Sequence, residues 1–151
     1  MSSSVRSCES LVFPLDVEDG WPPVAVESLP FRVAPDGYEA VVPPLFVKDL
    51  SAGDIIDATI EAGSRRVLSW RHIVRSGRTT VWLLRLRYSG TIKEVLGELR
   101  ALGCNTVALD EAGAYAIDVP ELVPIERVDA ALAHLDADSV AVAFPSMRHP
   151  E

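Results

Sequence analysis

The sequence predicts an α+β fold in two small subdomains, on two observations. Up to Arg75 the apolar residues alternate at period two between turn residues, and no stretch has a helical period. From Thr79 onward the pattern runs strand, helix, strand, strand, helix, strand, the split βαβ order of a ferredoxin-like βαββαβ subdomain. The all-strand half before it is expected to close into a small β-barrel-like subdomain. With 151 residues, 48% of them hydrophobic, the chain can bury a core of this kind. The expected boundaries are a disordered tail over 1–8, a β subdomain over 9–78, the ferredoxin-like subdomain over 79–145, and a tail over 146–151.

In the first half, Ser10-Leu11-Val12-Phe13 is a short apolar strand halted by Pro14, and Asp16 to Gly20 is an acidic turn. Val24, Val26 and Leu29 alternate with smaller or polar residues and lead into Phe31-Arg32-Val33. Ala34-Pro35-Asp36-Gly37 then supplies a turn, because proline fixes φ and glycine tolerates φ > 0. A hairpin onto Tyr38 to Val42 follows. Pro43 and Pro44 cannot donate to a ladder, so pairing should lapse until the turn at Ser51-Ala52-Gly53-Asp54. Ile55 to Glu61 alternates as a strand with one wet face, and Gly63-Ser64 turns it.

These same stretches, FPL, PPVAVESLPFRV, GYEAV and LSAGDIIDA, resemble the bacterial domain-of-unknown-function family 4265, and a looser likeness continues from His72 to Thr80 and into the C-terminal half. The resemblance implies a family and carries no activity, cofactor or catalytic residue. Where the family pattern has a single proline beside an aromatic residue, this chain has Val42-Pro43-Pro44-Leu45-Phe46.

Arg66 to Arg75 and Thr79 to Tyr88 are two strand-like runs around Ser76-Gly77, which suits a two-residue hairpin that would set Arg75 opposite Arg78. Like charges so placed repel and need an acidic counterpart, in cis or in trans. Thr91-Ile92-Lys93-Glu94 has the form of a capping box, Ile92, Val95, Leu96, Leu99 and Leu102 make one helical stripe, and Gly103 stands where a C-terminal cap belongs. Asn105 to Leu109 and Ala114 to Val119 are strands joined through Gly113. Pro124 suits the first turn of a helix carrying Ile125, Val128, Leu132 and Leu135, and Val140 to Phe144 is a last strand.

The charge is the least ordinary feature. Between Arg65 and Arg87 lie seven arginines and no acid, so the rest of the chain carries −15 against −8 overall. The resulting expectation is a non-enzymatic binding or accessory protein that engages an acidic partner protein through a basic ribbon, at Arg71, Arg75, Arg78 and Trp82. The overall negative field disfavours nucleic acid at long range. The alternative expectation is an enzyme or small-molecule binder with a pocket between the subdomains, built from Trp21, Glu27, Trp70 and His72. Three of these also have a plainer reading. Trp21 can cover an open end of the β subdomain, Glu27 can be an outward-facing strand residue, and His72 a hydrogen-bonded strand histidine.

Known catalytic signatures are missing from the sequence: it has no Gly-x-Ser-x-Gly, P-loop or dinucleotide fingerprint. His72, His134 and His149 are dispersed and Cys8 and Cys104 lie far apart, so neither a metal nor any other cofactor is expected, nor a disulfide. The expected setting is cytoplasmic, since MSSSVRSCES lacks the apolar run of a signal peptide and no apolar segment approaches a membrane span. The oligomeric state is left open.

Overall fold

Strand β1 (Cys8–Pro14) turns Leu11 and Phe13 inward, and β2 (Val26–Ala34) does the same with Glu27, Leu29 and Phe31, as the period-two pattern requires. These positions belong to a computed structural model that describes residues 8–150. The two strands run antiparallel with Leu11 opposite Leu29 and Phe13 opposite Glu27. Pro35-Asp36 forms a two-residue turn into β3 (Gly37–Ala40). Gly37 is there for space: a Cβ at this position would lie 2.2 Å from the carbonyl oxygen of Ile56 on the next strand. That strand, β4 (Ile55–Ile60), pairs in turn with β5 (Val67–Val74), giving an antiparallel sheet in the order β1-β2-β3-β4-β5. Phe13, Phe31, Tyr38 and Trp70 pack ring against ring over the core of Leu11, Leu29, Leu50, Ile56 and Val67.

The sheet is not a closed barrel. Among the described residues a parallel bridge links β1 to the residue before β5, Val12 to Arg66, where the Val12 N–H donates to the Arg65 carbonyl at 2.9 Å, and Pro14 ends β1 just beyond.

The chain divides into two compact units, Met1–Ser76 and Gly77–Glu151. In the second, β6 (Thr79–Arg85), β7 (Asn105–Leu109), β8 (Ala114–Val119) and β9 (Val140–Ser146) form an antiparallel sheet in the order β7-β8-β6-β9. Helix α1 (Thr91–Ala101) connects β6 to β7, and α2 (Ile125–Leu132) connects β8 to β9. The apolar stripes of both helices join Val81, Leu83, Tyr115, Ile117, Val119 and Val140 in one core. Helix α1 ends in a Schellman motif: Gly103 takes φ +108°, its N–H bonds the Arg100 carbonyl, and the Cys104 N–H bonds that of Leu99. Its start differs from expectation. The helix begins a residue earlier than a capping box on Thr91 needs, so Gly90 is the N-cap and no side chain caps it. The Thr91 hydroxyl bonds Ser89 instead, at 2.7 Å.

The hairpin expected at Ser76-Gly77 is not formed. Strand β5 pairs with β4, while β6 pairs with β8 and β9. Each arginine flanking the turn has its own acid, Arg75 with Asp49 and Arg78 with Asp118, and the repulsive Arg75–Arg78 pair does not arise.

Candidate functional site

Between β3 and β4 the chain crosses residues 41–54 with no regular structure, yet Val47, Leu50, Ser51, Ala52 and Asp54 are buried. Backbone donors in such a segment need partners, and two carboxylates supply them. Glu27, inward-facing on β2 rather than outward as its sequence neighbours suggest, accepts from the N–H groups of Leu45, Phe46 and Val47 at 2.6, 2.9 and 3.1 Å. Burial pushes its pKa above the ordinary glutamate value, against the lowering effect of those three bonds. Pro43-Pro44 delivers the chain here, so the doubled proline precedes the segment that Glu27 grips.

Asp54 anchors the other end. Its carboxylate is fully buried and accepts from the Ser51 N–H at 2.9 Å, the Ser76 N–H at 2.8 Å and His72 Nε2–H at 2.9 Å. The Ser76 hydroxyl donates to the Ala52 carbonyl at 2.7 Å. A carboxylate can only accept, so the bond to Asp54 sets a proton on Nε2 of His72. The imidazole meets the Trp70 indole edge-on, with ring centres 5.1 Å apart.

Trp70 and His72 line an open concavity of about 730 Å³ together with Asp49, Arg71, Ile73 and Arg75. The structure thus brings together two of the four expected pocket residues and two of the four expected partner-binding residues. Arg71 lies 3.3 Å from Asp57 and Arg75 lies 2.7 Å from Asp49, and all four side chains are at least half exposed. The bond to Asp49 raises the Arg75 pKa, so its charge is permanent.

The remaining expected residues go elsewhere. Trp21 is 43% exposed and packs edge-on against Phe46, 5.7 Å between ring centres, so Trp21 and Glu27 converge on the 45–47 segment and are absent from the concavity. Arg78 and Trp82 belong to the second unit. Arg78 grips the buried carboxylate of Asp118 with two bonds, 2.9 and 2.6 Å, and Asn105 adds a third at 2.9 Å. Trp82 lies on β6 between Ala116 of β8 and Ala143 of β9. Arg65 pairs with Glu9, and Arg85 bonds the Tyr115 hydroxyl and the Asp110 carbonyl. The seven arginines therefore do not form one ribbon.

His149, expected in a tail, is buried: Thr79 Oγ1 lies 2.6 Å from Nδ1 and the Pro120 carbonyl 3.0 Å from Nε2. His134 lies beside Glu98 at 3.0 Å in the open. Cys8 is exposed and Cys104 buried, and neither is bridged. Burial first, and then the charge of Asp118, pushes the Cys104 thiol up to about 11. Among the described residues no group of three or more His, Cys, Asp or Glu side chains is placed to hold a metal ion, and no helix is long and apolar enough to cross a membrane.

The model of the family "Domain of unknown function (DUF4265)" matches residues 27–142, more than half of the chain. The chain belongs to this family. The matched span contains Glu27, the 41–54 segment, Asp54 and His72, so the concavity lies inside what defines the DUF4265 domain. A search of curated proteins finds no match. Among solved structures, the chain is similar to one titled "Novel crystal structure of a hypothetical protein from Neisseria gonorrhoeae", with a TM-score of 0.70 and 18% identity over 97% of this chain and 98% of that one. At that identity the likeness speaks for the fold.

Asp49 and Asp54 escape a reading of the sequence because they lie far from their partners along the chain. Counting back along both strands from the Gly63-Ser64 turn would set Ile56 opposite Arg71; a bulge between Thr59 and Ile60 shifts the register by one, so that Ile56 lies opposite His72 and Asp54 comes within reach of the imidazole.

Proposed function

We propose that the protein is a non-enzymatic binding module that receives an acidic segment of a partner protein at the concavity on β5. One observation carries the reading: Arg71 and Arg75 flank Trp70, His72 and Ile73 in that concavity, and the acids they meet are themselves exposed. Exposed ion pairs add little net stability, so a partner carboxylate can replace Asp57 or Asp49 at little cost. Trp70 and Ile73 add apolar contact area between the charges. A shallow, open site suits a protruding protein segment better than a small molecule, which binds where most of its surface can be enclosed. Arg78 and Trp82 are left out, because Arg78 is committed to Asp118.

The test is affinity capture from source cells by the wild-type chain and by the Arg71→Ser/Arg75→Ser double variant, at low and high salt. The expected result is an identified acidic protein whose capture weakens with salt and drops in the variant. Equal capture by both chains at both salts overturns the reading, and so does a partner that proves to be nucleic acid.

A second reading, an enzyme or small-molecule binder, draws on the Asp54–His72 pair, since a buried carboxylate that orients an imidazole is how many general bases are held. Thermal-shift screening with small anions separates the two. A stabilising anion whose effect disappears in His72→Gln favours this second reading.

At the level of fold, the order β7-β8-β6-β9 with its two crossover helices supports a ferredoxin-like second unit. The Val12–Arg66 bridge supports a barrel-like first one. Two unbridged thiols suit a reducing, cytoplasmic setting in a bacterial cell.

A further inference from the structure

The imidazole of His72 is held from two sides. Asp54 accepts from Nε2–H at 2.9 Å, and Trp70 packs against the ring with centres 5.1 Å apart. The N–H groups of Ser51 and Ser76 fix the Asp54 carboxylate in turn. Nδ1 has no hydrogen-bond partner, yet it is not sealed from solvent, although only 11% of the side chain is exposed. The solvent that reaches His72 is that of the concavity it lines, so Nδ1 meets whatever enters there.

What Nδ1 offers depends on one proton. In the neutral imidazole, with its hydrogen on Nε2, Nδ1 is a lone pair that repels a carboxylate, and with a second proton it becomes a donor. The charges packed around the ring act in the same sense. Strand β5 supplies Arg71 and Arg75, β4 supplies Asp57 against Arg71, and the 41–54 segment supplies Asp49 against Arg75 and Asp54 against the ring itself. The two ion pairs cancel and Asp54 remains, so the site carries a formal charge of −1 with His72 neutral and 0 with it protonated. An entering carboxylate meets net repulsion in the first state and three cationic donors in the second.

We propose that His72 is a specificity-determining residue of the concavity, which contacts the partner's carboxylate as an imidazolium, so that binding of the acidic segment takes up one proton at Nδ1. The inference rests on the reading of the concavity as a site for an acidic protein segment. Linkage makes the coupling reciprocal: a carboxylate that favours the proton is itself bound more tightly where the proton is present, and affinity rises as pH falls through the range in which histidine titrates. Arg71 and Arg75 keep their charge throughout that range and select for acids at any pH. His72 adds the condition under which the acid is accepted.

The test is calorimetric titration with a blocked hexaglutamate peptide at about pH 8 and pH 5.5, both above the ordinary carboxylate range. Binding by the wild type should be at least about fivefold tighter at the lower pH, and the heats in two buffers of different ionisation enthalpy should differ in the sense of proton uptake. His72→Gln, which keeps a donor for Asp54, should bind with one affinity at both pH values, and Arg71→Ser/Arg75→Ser should lose binding at both. Peptide binding that takes up no proton, or a pH dependence that persists in His72→Gln, overturns the inference and leaves the acid-binding reading standing. A wild type that binds no peptide at either pH, or binding undiminished in the arginine variant, overturns both. The proton count is read on the wild type, so it decides even where His72→Gln fails to fold.

Discussion

The two units solve the same problem, burying a core under a small antiparallel sheet, by different means. In the second unit two amphipathic helices cover the sheet, and their backbone groups are satisfied within the helices and at the Schellman end of α1. No helix occurs among the described residues of the first unit, where the irregular 41–54 segment inserts Val47 and Leu50 into the core instead. A helix brings its own hydrogen bonds, while a loop must borrow them, here from Glu27 and Asp54. Stability in the first unit therefore rests on single carboxylates, and in the second it is spread over many apolar contacts.

Substituting those carboxylates is the sharpest way to break the comparison. Asp54→Ala strips three donors of their acceptor, two of them backbone amides, and should cost about 3 kcal/mol in urea unfolding. A loss confined to a few tenths would mean that water satisfies the segment.

Glu27→Ala should cost about 2 kcal/mol, because the Leu45 to Val47 amides lose their acceptor. Its pH dependence has a definite sign. Burial raises the folded-state pKa above the ordinary value of 4.5, so the folded state binds this proton more readily than the unfolded chain does. That contribution is fully present below the unfolded value and is lost as pH rises through the folded one. Wild type minus Glu27→Gln should therefore fall in relative stability as pH rises above the ordinary glutamate value, measured by urea midpoints at each pH.

In the second unit the matching probe is Cys104. With its thiol near 11 against an ordinary 9.0, it contributes stability that is present below pH 9 and is lost as pH rises through about 11. Alkylation at pH 8 should label Cys8 in the folded chain, with Cys104 reacting only after unfolding. Rapid labelling of both would mean that this core opens locally.

The smallest effect expected is for Thr91→Ala, within about 0.5 kcal/mol by thermal unfolding, since Thr91 caps nothing and only bonds Ser89. A loss near 1 kcal/mol would restore the capping box.

What could be read from the sequence divides along the same line. Helical period, the glycine after α1 and the turn prolines act over a few residues, so α1, α2, the Gly103 cap and the Pro35-Asp36 turn were visible in the order of residues alone. Of the concavity, Trp70, His72, Arg71 and Arg75 stood out as residue types on one strand. Their meeting with Asp49 and Asp54 depends on the β4–β5 register and on the path of a loop, both set by long-range packing. The Ser76-Gly77 hairpin failed for the same reason: a local turn signal gave way to strand pairings set elsewhere in the chain, β5 with β4 and β6 with β8 and β9. Glu27 was misjudged because a charge on a strand usually points to water. Here three peptide groups take the place of water.

The grip of Glu27 on Leu45, Phe46 and Val47 also has a consequence for how motion in this protein would be observed. Amides in stretches without helix or strand normally exchange with solvent deuterium within seconds, and such stretches are taken as the mobile parts of a molecule. These three amides are closed onto a buried carboxylate, so they should exchange as slowly as strand amides do, and the 41–54 segment should appear as an island of protection that secondary structure does not explain.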